Sequence, residues 1–507
     1  MTQEIELKLN LPSSAVARLR RHPLFAEAPK AAPTRTLLNT YFDTPDLRLK
    51  AHRVALRTRK QGRDWLQTVK CGGELVGGLA QRPEWEFPYR GDFVFEPISA
   101  PAVQALLEDL RPALTPIFTT HFRRETRRYA PREGVTILMM LDLGTVEAQG
   151  RRAPLCELEL ELVEGPVAAV FDLALALAAD LPLLPDDVSK AQRGYRLFLA
   201  QAASPVRAAD PVLAPGDPPL LAFRRLALAS LAHWQANIHG ALLGEDPEFV
   251  HQMRVALRRL RSLLRVMAPI LPPGFFATWN PRLGEATQTL GATRDLDVLV
   301  DTLLPAVPLA GGAPVASLTT LSQHAARARQ MARRAHQHDV DRGLQGRCLL
   351  GFAAALHSLT DSTGAGTEAL PELALRQLRR LRKQAARRLK VVMTDGSADA
   401  LHALRIAVKR LRYGFEFFHP LLARPKAVSQ FIAALARFQD ELGYHHDVTQ
   451  AALTLQTWSA RHRALVQGAA FVAGWHGANA ARIARRLPAR LDRLLRSQAA
   501  RPRTRRS

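Results

Sequence analysis

Charged side chains recur at every second position in several short segments, and this feature restricts the fold more than any other. In EIELKL, Glu4, Glu6 and Lys8 alternate with apolar residues, and similar alternation returns in VALRTRK, RPEWEF and CELELEL. A period of two indicates a β-strand with two different faces. Charges facing an apolar core would be costly, whereas bulk water would accept Thr, Ser or Gln equally well. A closed barrel with a polar interior satisfies both constraints. The alternative is a set of solvated strand faces with cross-strand ion pairs.

The chain divides into two parts with different patterns. Up to about residue 163, short alternating runs separated by Gly, Pro and Asp predict an antiparallel β-rich domain with a few helices. A Pro- and Ala-rich stretch without periodicity indicates a linker, and the Ala-, Leu- and Arg-rich remainder predicts helices. We therefore expect an α+β protein with a β-rich domain at 1–202, a linker at 203–220, an all-α domain at 221–497 and a disordered basic tail at 498–507.

Positive charge is concentrated in the second part. Residues 1–205 contain 27 Lys or Arg and 25 Asp or Glu, a net charge of +2, whereas residues 206–507 contain 43 and 21, a net charge of +22. Such a surface favours a polyanionic partner, namely nucleic acid, an anionic membrane or polyphosphate.

The cysteines and the apolar segments bear on the cellular compartment. Three widely spaced cysteines indicate no disulfide framework, which fits a reducing compartment. No basic-then-apolar signal stands at the N-terminus, and Asp and Pro interrupt the most apolar stretch, 166–184. We therefore expect a cytoplasmic protein without a membrane partner.

The second part repeats itself. FVHQMRVALRRLRSLLRV (249–266) is similar to ALHALRIAVKRLRYGFEF (400–417), and LGATRDLDV (290–298) is similar to LGYHHDV (442–448). The interval from His251 to Asp297 is 46 residues, and that from His402 to Asp447 is 45 residues. A pair of motifs that recurs at the same spacing predicts two similar helical-bundle repeats.

Each copy of the first motif places cations on one helix face, since residues three or four apart are neighbours there. A stripe of like charges repels itself unless an anion lies along it, although many such stripes are simply solvated. The duplication favours an anion-binding site. A metal site fits less well, because the adjacent His445 and His446 diverge on a helix and the first copy has Arg294 at the related place. The stripes are His251, Arg254, Arg258 and Arg261 in the first copy, and His402, Arg405, Lys409 and Arg412 in the second.

The residue types on the strands define a chemistry. Inward Arg and Lys side chains would hold phosphate oxygens, with Arg supplying forked donors. Clustered carboxylates repel phosphate and need Mg²⁺ or Mn²⁺ between themselves and the substrate. Together these residues predict a metal-assisted site for a triphosphate.

An ordered set of motifs gives this part a family resemblance. EIELK matches the ExExK signature of the CYTH, or triphosphate tunnel metalloenzyme, superfamily. The rest follows in order: YFDT (41–44), LRTR (56–59), TVK (68–70), QRPEWE (81–86), LDLG (141–144), CELELE (156–161) and SKAQRGY (189–195). The resemblance covers roughly residues 1–200 and implies an eight-stranded antiparallel tunnel that binds triphosphate and a divalent metal.

Among the members of that superfamily, the chain most resembles the inorganic triphosphatases. The resemblance implies hydrolysis of inorganic triphosphate to pyrophosphate and phosphate. An adenylyl cyclase, a thiamine triphosphatase and a non-catalytic polyphosphate-binding adaptor with a degenerate tunnel remain alternatives.

The resemblance also implies roles for individual residues. Catalytic roles fall to Glu4, Glu6, Lys8, Lys70 and Asp142, and substrate contacts to Arg57, Arg59, Arg124, Arg127 and Lys190. The metal-binding carboxylates would be Glu4, Glu6, Glu84, Glu86, Glu157 and Glu159. Within 122–129 the register stays open, since Arg123 or Arg128 could face inward instead, and Glu161 could join the acidic pair if the last strand is shifted by two residues.

The helical part resembles a CHAD domain, a module of repeated helices that binds polyphosphate, over roughly 221–497. The resemblance implies polyphosphate contacts by both stripes together with Arg294 and His446, and a location near polyphosphate granules. Nucleic acid remains a rival ligand, but few aromatic side chains for base stacking lie beside the basic motifs.

Overall fold

Two compact units make up the protein. The computed structural model describes residues 2–209, 211–243, 246–308, 315–341, 343–359, 368–497 and 502–503. The first unit comprises Met1–Ser204 with Asp339–Ser358, and the second comprises Pro205–His338 with Leu359–Ser507. Most of the predicted tail, 498–507, lies outside the described residues, and the predicted domain boundaries stay predictions.

A closed antiparallel barrel forms the first unit. Eight strands pair in the order β1-β9-β8-β7-β2-β3-β4-β6, and β6 pairs back onto β1 to close the ring, while β5 and β10 add to its edges. The predicted eight-stranded antiparallel tunnel is thereby confirmed. The strands are β1 (Thr2–Asn10), β2 (Arg35–Asp43), β3 (Val54–Gln61), β4 (Asp64–Cys71), β5 (Glu74–Val76), β6 (Leu79–Pro88), β7 (Thr115–Arg132), β8 (Val135–Ala148), β9 (Arg151–Glu164) and β10 (Leu184–Pro185).

Apolar side chains cover the outside of the barrel. Leu7 and Leu9 of β1 are fully buried on the side that α5 packs against, and the intervening charged residues face the interior. On the β3–β4–β6 side, Val69 and Trp85 pack with Leu107 of α4. Because apolar contacts bury these outer faces and stabilise the barrel, the strands can carry charged side chains on their inner faces. The helices of this region are α1 (Val16–Arg21), α2 (Pro23–Ala26), α3 (Arg48–Ala51), α4 (Pro101–Leu110), α5 (Val167–Asp180) and α6 (Lys190–Phe198).

One helix from the second half of the sequence packs with the barrel. Helix α12 (Leu344–His357) contacts α5 and β10, and the rings of Phe171 and His357 lie 5.2 Å apart. At Gly346 an added Cβ would lie 1.9 Å from the carbonyl oxygen of Leu183, so only glycine allows this approach. The sequence patterns gave no sign of this packing.

The second unit is all helical and consists of two related halves. In the first half α8 packs between α7 and α9, and in the second α14 packs against α13 and α15, with α16 against α15 and α13. The duplicated motifs occupy α8 and α14, which contact each other, so the predicted helical-bundle repeats are confirmed. These helices are α7 (Pro219–Leu243), α8 (Pro247–Met267), α9 (Phe275–Thr289), α10 (Gly291–Val298), α11 (Val315–Asp341), α13 (Leu370–Thr394), α14 (Ala398–Phe418), α15 (Pro425–Arg461) and α16 (Val466–Arg496).

Candidate active site and anion-binding surface

The N-terminal strand contributes to a cluster of ion pairs inside the barrel. β1 directs Glu4, Glu6 and Lys8 inward because alternate residues face alternate sides. The Nζ of Lys70 on β4 lies 2.8 Å from both carboxylate oxygens of Glu4. The guanidinium of Arg82 on β6 lies 3.2 Å from Glu4 and 2.6 Å from Glu6. We call Glu4, Glu6, Lys70 and Arg82 the first cluster.

A second cluster lies on β7, β8, β9 and α6, and consists of Arg124, Asp142, Glu157, Glu159 and Lys190. Two nitrogens of Arg124 donate to the two oxygens of Asp142 at 2.7 and 2.6 Å, and a further bond of 2.6 Å reaches Glu159. The Lys190 ammonium lies 2.7 Å from Asp142 and 2.8 Å from Glu159, and it also donates to Glu157. Asp142 and Glu157 are fully buried, so these pairs offset a large desolvation cost.

A helix start places Lys190 in this cluster. Ser189 is the N-cap of α6, and its side chain accepts a hydrogen bond from the backbone N–H of Gln192. In return, the side-chain oxygen of Gln192 accepts from the backbone N–H of Ser189. This capping box fixes where α6 begins. Lys190 is the first residue of the helix, so its direction follows from the cap.

Lys8 lies between the two clusters. Its ammonium is 3.8 Å from Glu6 and 3.9 Å from Glu159, and all three residues are buried. The charged groups therefore form one continuous array across the interior of the barrel.

Arg57 and Arg59 form a third set of cations with long ion pairs to carboxylates, although Arg59 also donates to the side-chain oxygen of Asn39 at 2.9 Å. Arg57 lies 3.8 Å from Glu84 and Arg59 lies 3.8 Å from Glu86, whereas Lys70 pairs with Glu84 at 3.0 Å. The Nε of Arg57 is buried, and it has no hydrogen-bond partner among the described residues. Burial and the neighbouring Arg57 lower the pKa of Arg59 to about 10. A bound anion would stabilise the charged form of a buried guanidinium of this kind.

The paired carboxylates of β9 differ in pKa. Burial raises the pKa of Glu157 in spite of the Lys190 ammonium. Burial also acts on Glu159, but Lys190 and Arg124 outweigh it and hold the pKa of Glu159 well below its usual range. Two neighbouring carboxyl groups whose pKa values are pushed apart are typical of catalytic sites.

Three carboxylates could hold a divalent cation. One ligand oxygen from each of Asp142, Glu157 and Glu159 lies within 4.8 Å of the others. Such a set of oxygen donors fits Mg²⁺ or Mn²⁺. Glu157 Oε2 is buried without a hydrogen-bond partner among the described residues, and the guanidinium of Arg193 lies 3.6 Å from it. Lys190 donates instead to Oε1 of Glu157 and Oε1 of Glu159.

Strand register separates the predicted arginines of β7. Arg124 faces the interior, but Arg127, three residues on, faces the opposite side, donates to the carbonyl oxygen of Ala28 at 2.9 Å and stacks over Phe25. The expectation that Arg127 contacts substrate does not fit this position, since a strand alternates its side chains. Arg123 is exposed on the same outer side.

The remaining candidates in this part of the chain fall at the edges of the array. Arg128 shares the parity of Arg124 but is exposed, and its guanidinium lies 3.5 Å from Thr136. Glu161 lies on the inner face, where burial and the carboxylates of Glu4 and Glu6 raise its pKa to about 7.

Sequence reasoning missed Arg82. It pairs with both glutamates of the ExExK signature, and it occupies the same strand face as Glu84 and Glu86. The signal was present, because 82, 84 and 86 share one parity within RPEWE.

In the second unit, α8 and α14 bring cations of the two motif copies together. Arg258 and Arg254 of α8 and Arg405 of α14 all lie close enough to Lys409 to lower its pKa. Burial is the largest cause, and the pKa of Lys409 falls to about 6. We call Arg254, Arg258, Arg405 and Lys409 the motif cluster. The buried Nε atoms of Arg258 and Arg405 have no hydrogen-bond partner among the described residues.

The predicted histidines contribute unequally to this cluster. The rings of His402 and His446 lie 4.9 Å apart, and burial with nearby Arg405 lowers the pKa of His446 to about 4. His251 lies on α8, one turn before Arg254. The side chain of Arg294 lies outside the described residues.

The last members of the two stripes lie in different surroundings. Arg412 pairs with Glu416 at 3.1 Å and donates to Gln439 at 2.9 Å, so protein groups already bind it. Burial and the neighbouring guanidinium of Arg265 lower the pKa of Arg261, and its buried Nε has no hydrogen-bond partner among the described residues.

These two folds and their charged sites define a CYTH domain followed by a CHAD domain. The CYTH family model matches residues 2–195, and the CHAD family model matches residues 225–456. The chain therefore combines both domains, as the motifs indicated.

Particular relatives match either part or most of the chain. An inorganic triphosphatase of Haemophilus influenzae is 30% identical over 216 residues, which are 39% of this chain and 55% of the relative. The chain thus spans about half the length of that relative. An uncharacterized protein of Mycobacterium tuberculosis is 27% identical over 81% of each chain.

A solved structure matches the helical unit. The CHAD domain of the plant Ricinus communis has a TM-score of 0.52 and 28% identity, and the match covers 60% of this chain and all of that domain. Within the described residues, every helix is too short or too polar to cross a membrane.

Proposed function

We propose that the tunnel hydrolyses inorganic triphosphate to pyrophosphate and phosphate with the help of Mg²⁺ or Mn²⁺. The observation that carries this proposal is the burial, in one barrel, of weakly paired cations beside clustered carboxylates. The similarity of the CYTH domain to a named inorganic triphosphatase supports it.

Each set of residues has a role in this reaction. Arg57 and Arg59 bind the oxygens of the phosphoryl group under attack, and carboxylates orient a water whose oxygen attacks the terminal phosphorus. The bond from that phosphorus to the bridging oxygen breaks, and pyrophosphate leaves beside the cations of the array. A divalent cation held by Asp142, Glu157 and Glu159 would neutralise phosphate charge. Phosphoryl transfer depends mainly on positioning and electrostatic stabilisation.

The aromatic residues favour a substrate without a base. Trp85 is buried in the apolar core outside the barrel and donates to Ser99, and Trp65 is partly exposed beside Lys60. Phe122 is buried under Arg124 and Lys190. Trp85 and Phe122 are buried, and the exposed Trp65 lies on the face of β4 opposite to Lys70, so none of the three rings offers a face for a nucleobase inside the tunnel.

A substrate panel tests the proposal. We expect phosphate release from inorganic triphosphate to exceed that from ATP and thiamine triphosphate, and to stop when EDTA removes Mg²⁺ and Mn²⁺. Faster release from thiamine triphosphate, or formation of cyclic AMP from ATP, would assign the tunnel to one of the alternative enzymes. The absence of turnover with every substrate would leave a polyanion-binding adaptor.

For the second unit we propose binding of inorganic polyphosphate at the motif cluster. Four basic side chains from two helices meet there, and the buried Nε atoms of Arg258 and Arg405 have no hydrogen-bond partner among the described residues. A bare phosphate chain needs only charge and donors, which these residues supply. A covalently attached tunnel would then be concentrated near polyphosphate, in the cytoplasm and at polyphosphate granules.

Polyphosphate binding should take up a proton at Lys409. Before an anion binds, the Lys409 side chain has a pKa of about 6, because of burial and the surrounding cations. It is therefore mostly an uncharged amine above pH 7. Bound phosphate would favour the charged form and raise this pKa. Affinity for long-chain polyphosphate should therefore fall as pH rises from 7 to 8, by up to about tenfold per pH unit for one proton.

The groups around Lys409 define the control. Calorimetry in buffers of different ionisation enthalpy counts the protons taken up. Lys409→Arg keeps the charge but does not titrate, so it should bind with a flatter pH dependence. An unchanged slope in Lys409→Arg would contradict the assignment. The charged or titratable groups that face this region are Arg254 and Arg258 of α8, Asp295 of α10, His402, Arg405 and Arg410 of α14, and His446 and Asp447 of α15.

A further inference from the structure

The two copies of the motif differ in charge at one related position. Residues of α8 and α14 correspond with a constant offset, so that Arg259 matches Arg410 and Arg261 matches Arg412. One turn further on, the first copy has Arg265 where the second has Glu416. The two copies therefore form two related regions, which we call corners, around Glu416 in the second copy and around Arg265 in the first, and these corners differ in charge.

Glu416 neutralises one corner. Its two oxygens pair with Arg259 at 3.0 Å and with Arg412 at 3.1 Å, and Gln439 accepts from Arg412. Arg259 is buried and packs over the ring of Phe417. The cations of this corner serve the packing of the helices.

Several arginines lie together at the related corner of the first copy. Burial is the largest influence on Arg410, followed by the guanidiniums of Arg265, Arg261, Arg380 and Arg388, and together they lower its pKa. We call these five residues the arginine corner. They come from three helices, α8, α13 and α14.

Contacts with a backbone carbonyl, an aromatic ring and a glycine hold members of the arginine corner in place. Arg380 donates to the backbone carbonyl of Arg265 at 3.2 Å, and Arg265 lies 5.5 Å from the ring of Phe276. The guanidinium of Arg261 packs 3.5 Å from the site of a Cβ at Gly284. Arg380 and Arg388 are exposed. A cluster of like charges fixed at a surface strongly attracts an anion.

We propose that the arginine corner is a second phosphate-binding subsite, which extends the motif cluster and makes the helical unit selective for long polyphosphate chains. This inference rests on the proposed binding of polyphosphate at the motif cluster. Arg410 is also one of the cations that act on Lys409, so the two sites adjoin. Along α8, Arg254 and Arg265 are about 16 Å apart at the rise of an α-helix. A short oligophosphate that occupies the motif cluster would not reach the corner, whereas a long chain would contact both.

The chemistry of the corner favours polyphosphate over single-stranded nucleic acid. Aromatic stacking supplies much of the binding of single strands. Phe276, the ring in contact with the corner, is already covered by Arg265. Guanidiniums alone are suited to a chain of phosphates.

Two double variants of the full chain test the inference. Arg380→Glu/Arg388→Glu removes two corner cations, and Arg379→Glu/Arg387→Glu makes the same change of charge at the adjacent exposed positions of α13. Affinity for labelled long-chain polyphosphate is measured by fluorescence anisotropy in EDTA, at several salt concentrations. Unlabelled short oligophosphate is titrated as a competitor.

The corner variant should bind the long chain at least about tenfold more weakly, since each lost charge-assisted hydrogen bond weakens binding by about that factor. Its salt dependence should be shallower, because fewer counterions are released. Its competition by short oligophosphate should match wild type, and the control should retain most of its affinity. Arg388→Glu alone repeats the test if circular dichroism shows that the double variant is misfolded.

The outcomes separate this inference from the proposed function. If wild type binds polyphosphate and the corner variant binds it equally well, the proposed subsite at the arginine corner is wrong. Equal losses of affinity in the two double variants would overturn that subsite in the same way. A lack of polyphosphate binding by wild type would overturn the proposed function as well. Tighter binding of single-stranded DNA with the same dependence on Arg380 and Arg388 would assign the corner to nucleic acid.

Discussion

Glu4→Gln/Glu6→Gln should lower the turnover of inorganic triphosphate by at least about a thousandfold, since a single electrostatic contact to a transition state is worth about 10²–10³. Glutamine preserves the shape of each side chain and can still accept from Lys70 and Arg82, which pair with these carboxylates at 2.6–3.2 Å. The two negative charges are lost, and with them the means to orient the attacking water.

The measurement is the steady-state release of phosphate with saturating Mg²⁺ or Mn²⁺, accompanied by titration of Mn²⁺ binding. Glu125→Gln is the matched control, because Glu125 lies on the outer face of β7 and pairs with Arg20 of α1. It should change turnover by no more than about twofold, as surface substitutions generally do. If the double variant turned over triphosphate nearly as fast as wild type, the active site would not lie in the tunnel.

Strand parity explains how much of the site could be predicted. Once Glu4, Glu6 and Lys8 are assigned to one face, the period of two also assigns the inward residues of β6 and β9. The same rule would have added Arg82 beside Glu84. It would also have separated Arg124 from Arg127, which the family resemblance alone placed together.

Other features depend on contacts between segments that are distant in sequence. The packing of α12 against α5 requires Gly346 to approach Leu183, and no local pattern encodes that partner. Likewise, Arg261 and Arg412 are equivalent in spacing, but Arg412 pairs with Glu416, whereas the related position beside Arg261 is occupied by Arg265. Periodicity predicts which face a side chain occupies, whereas the charge of its surroundings depends on the neighbouring helices.

The pairing of cations also indicates which arginines bind substrate. Arg124 is saturated by Asp142 and Glu159 at 2.6–2.7 Å. Among the described residues, the hydrogen-bond and ion-pair partners of Arg57 are distant, with Tyr41 at 3.4 Å and Glu84 at 3.8 Å, and Arg57 is buried. A phosphate would therefore gain more from Arg57, because that guanidinium has hydrogen bonds still to make.

Arg57→Ala should consequently reduce kcat/KM for inorganic triphosphate by about 10²–10³, the loss expected from two charge-assisted hydrogen bonds. Arg57→Lys should restore part of it, since an ammonium supplies charge without the fork. Arg127→Ala should stay within about twofold of wild type, because its side chain lies outside the barrel. The three variants are compared by initial rates over a range of substrate, with thermal melts to verify folding. A loss in Arg127→Ala as large as that in Arg57→Ala would show that activity follows total charge rather than the inward face of the strands.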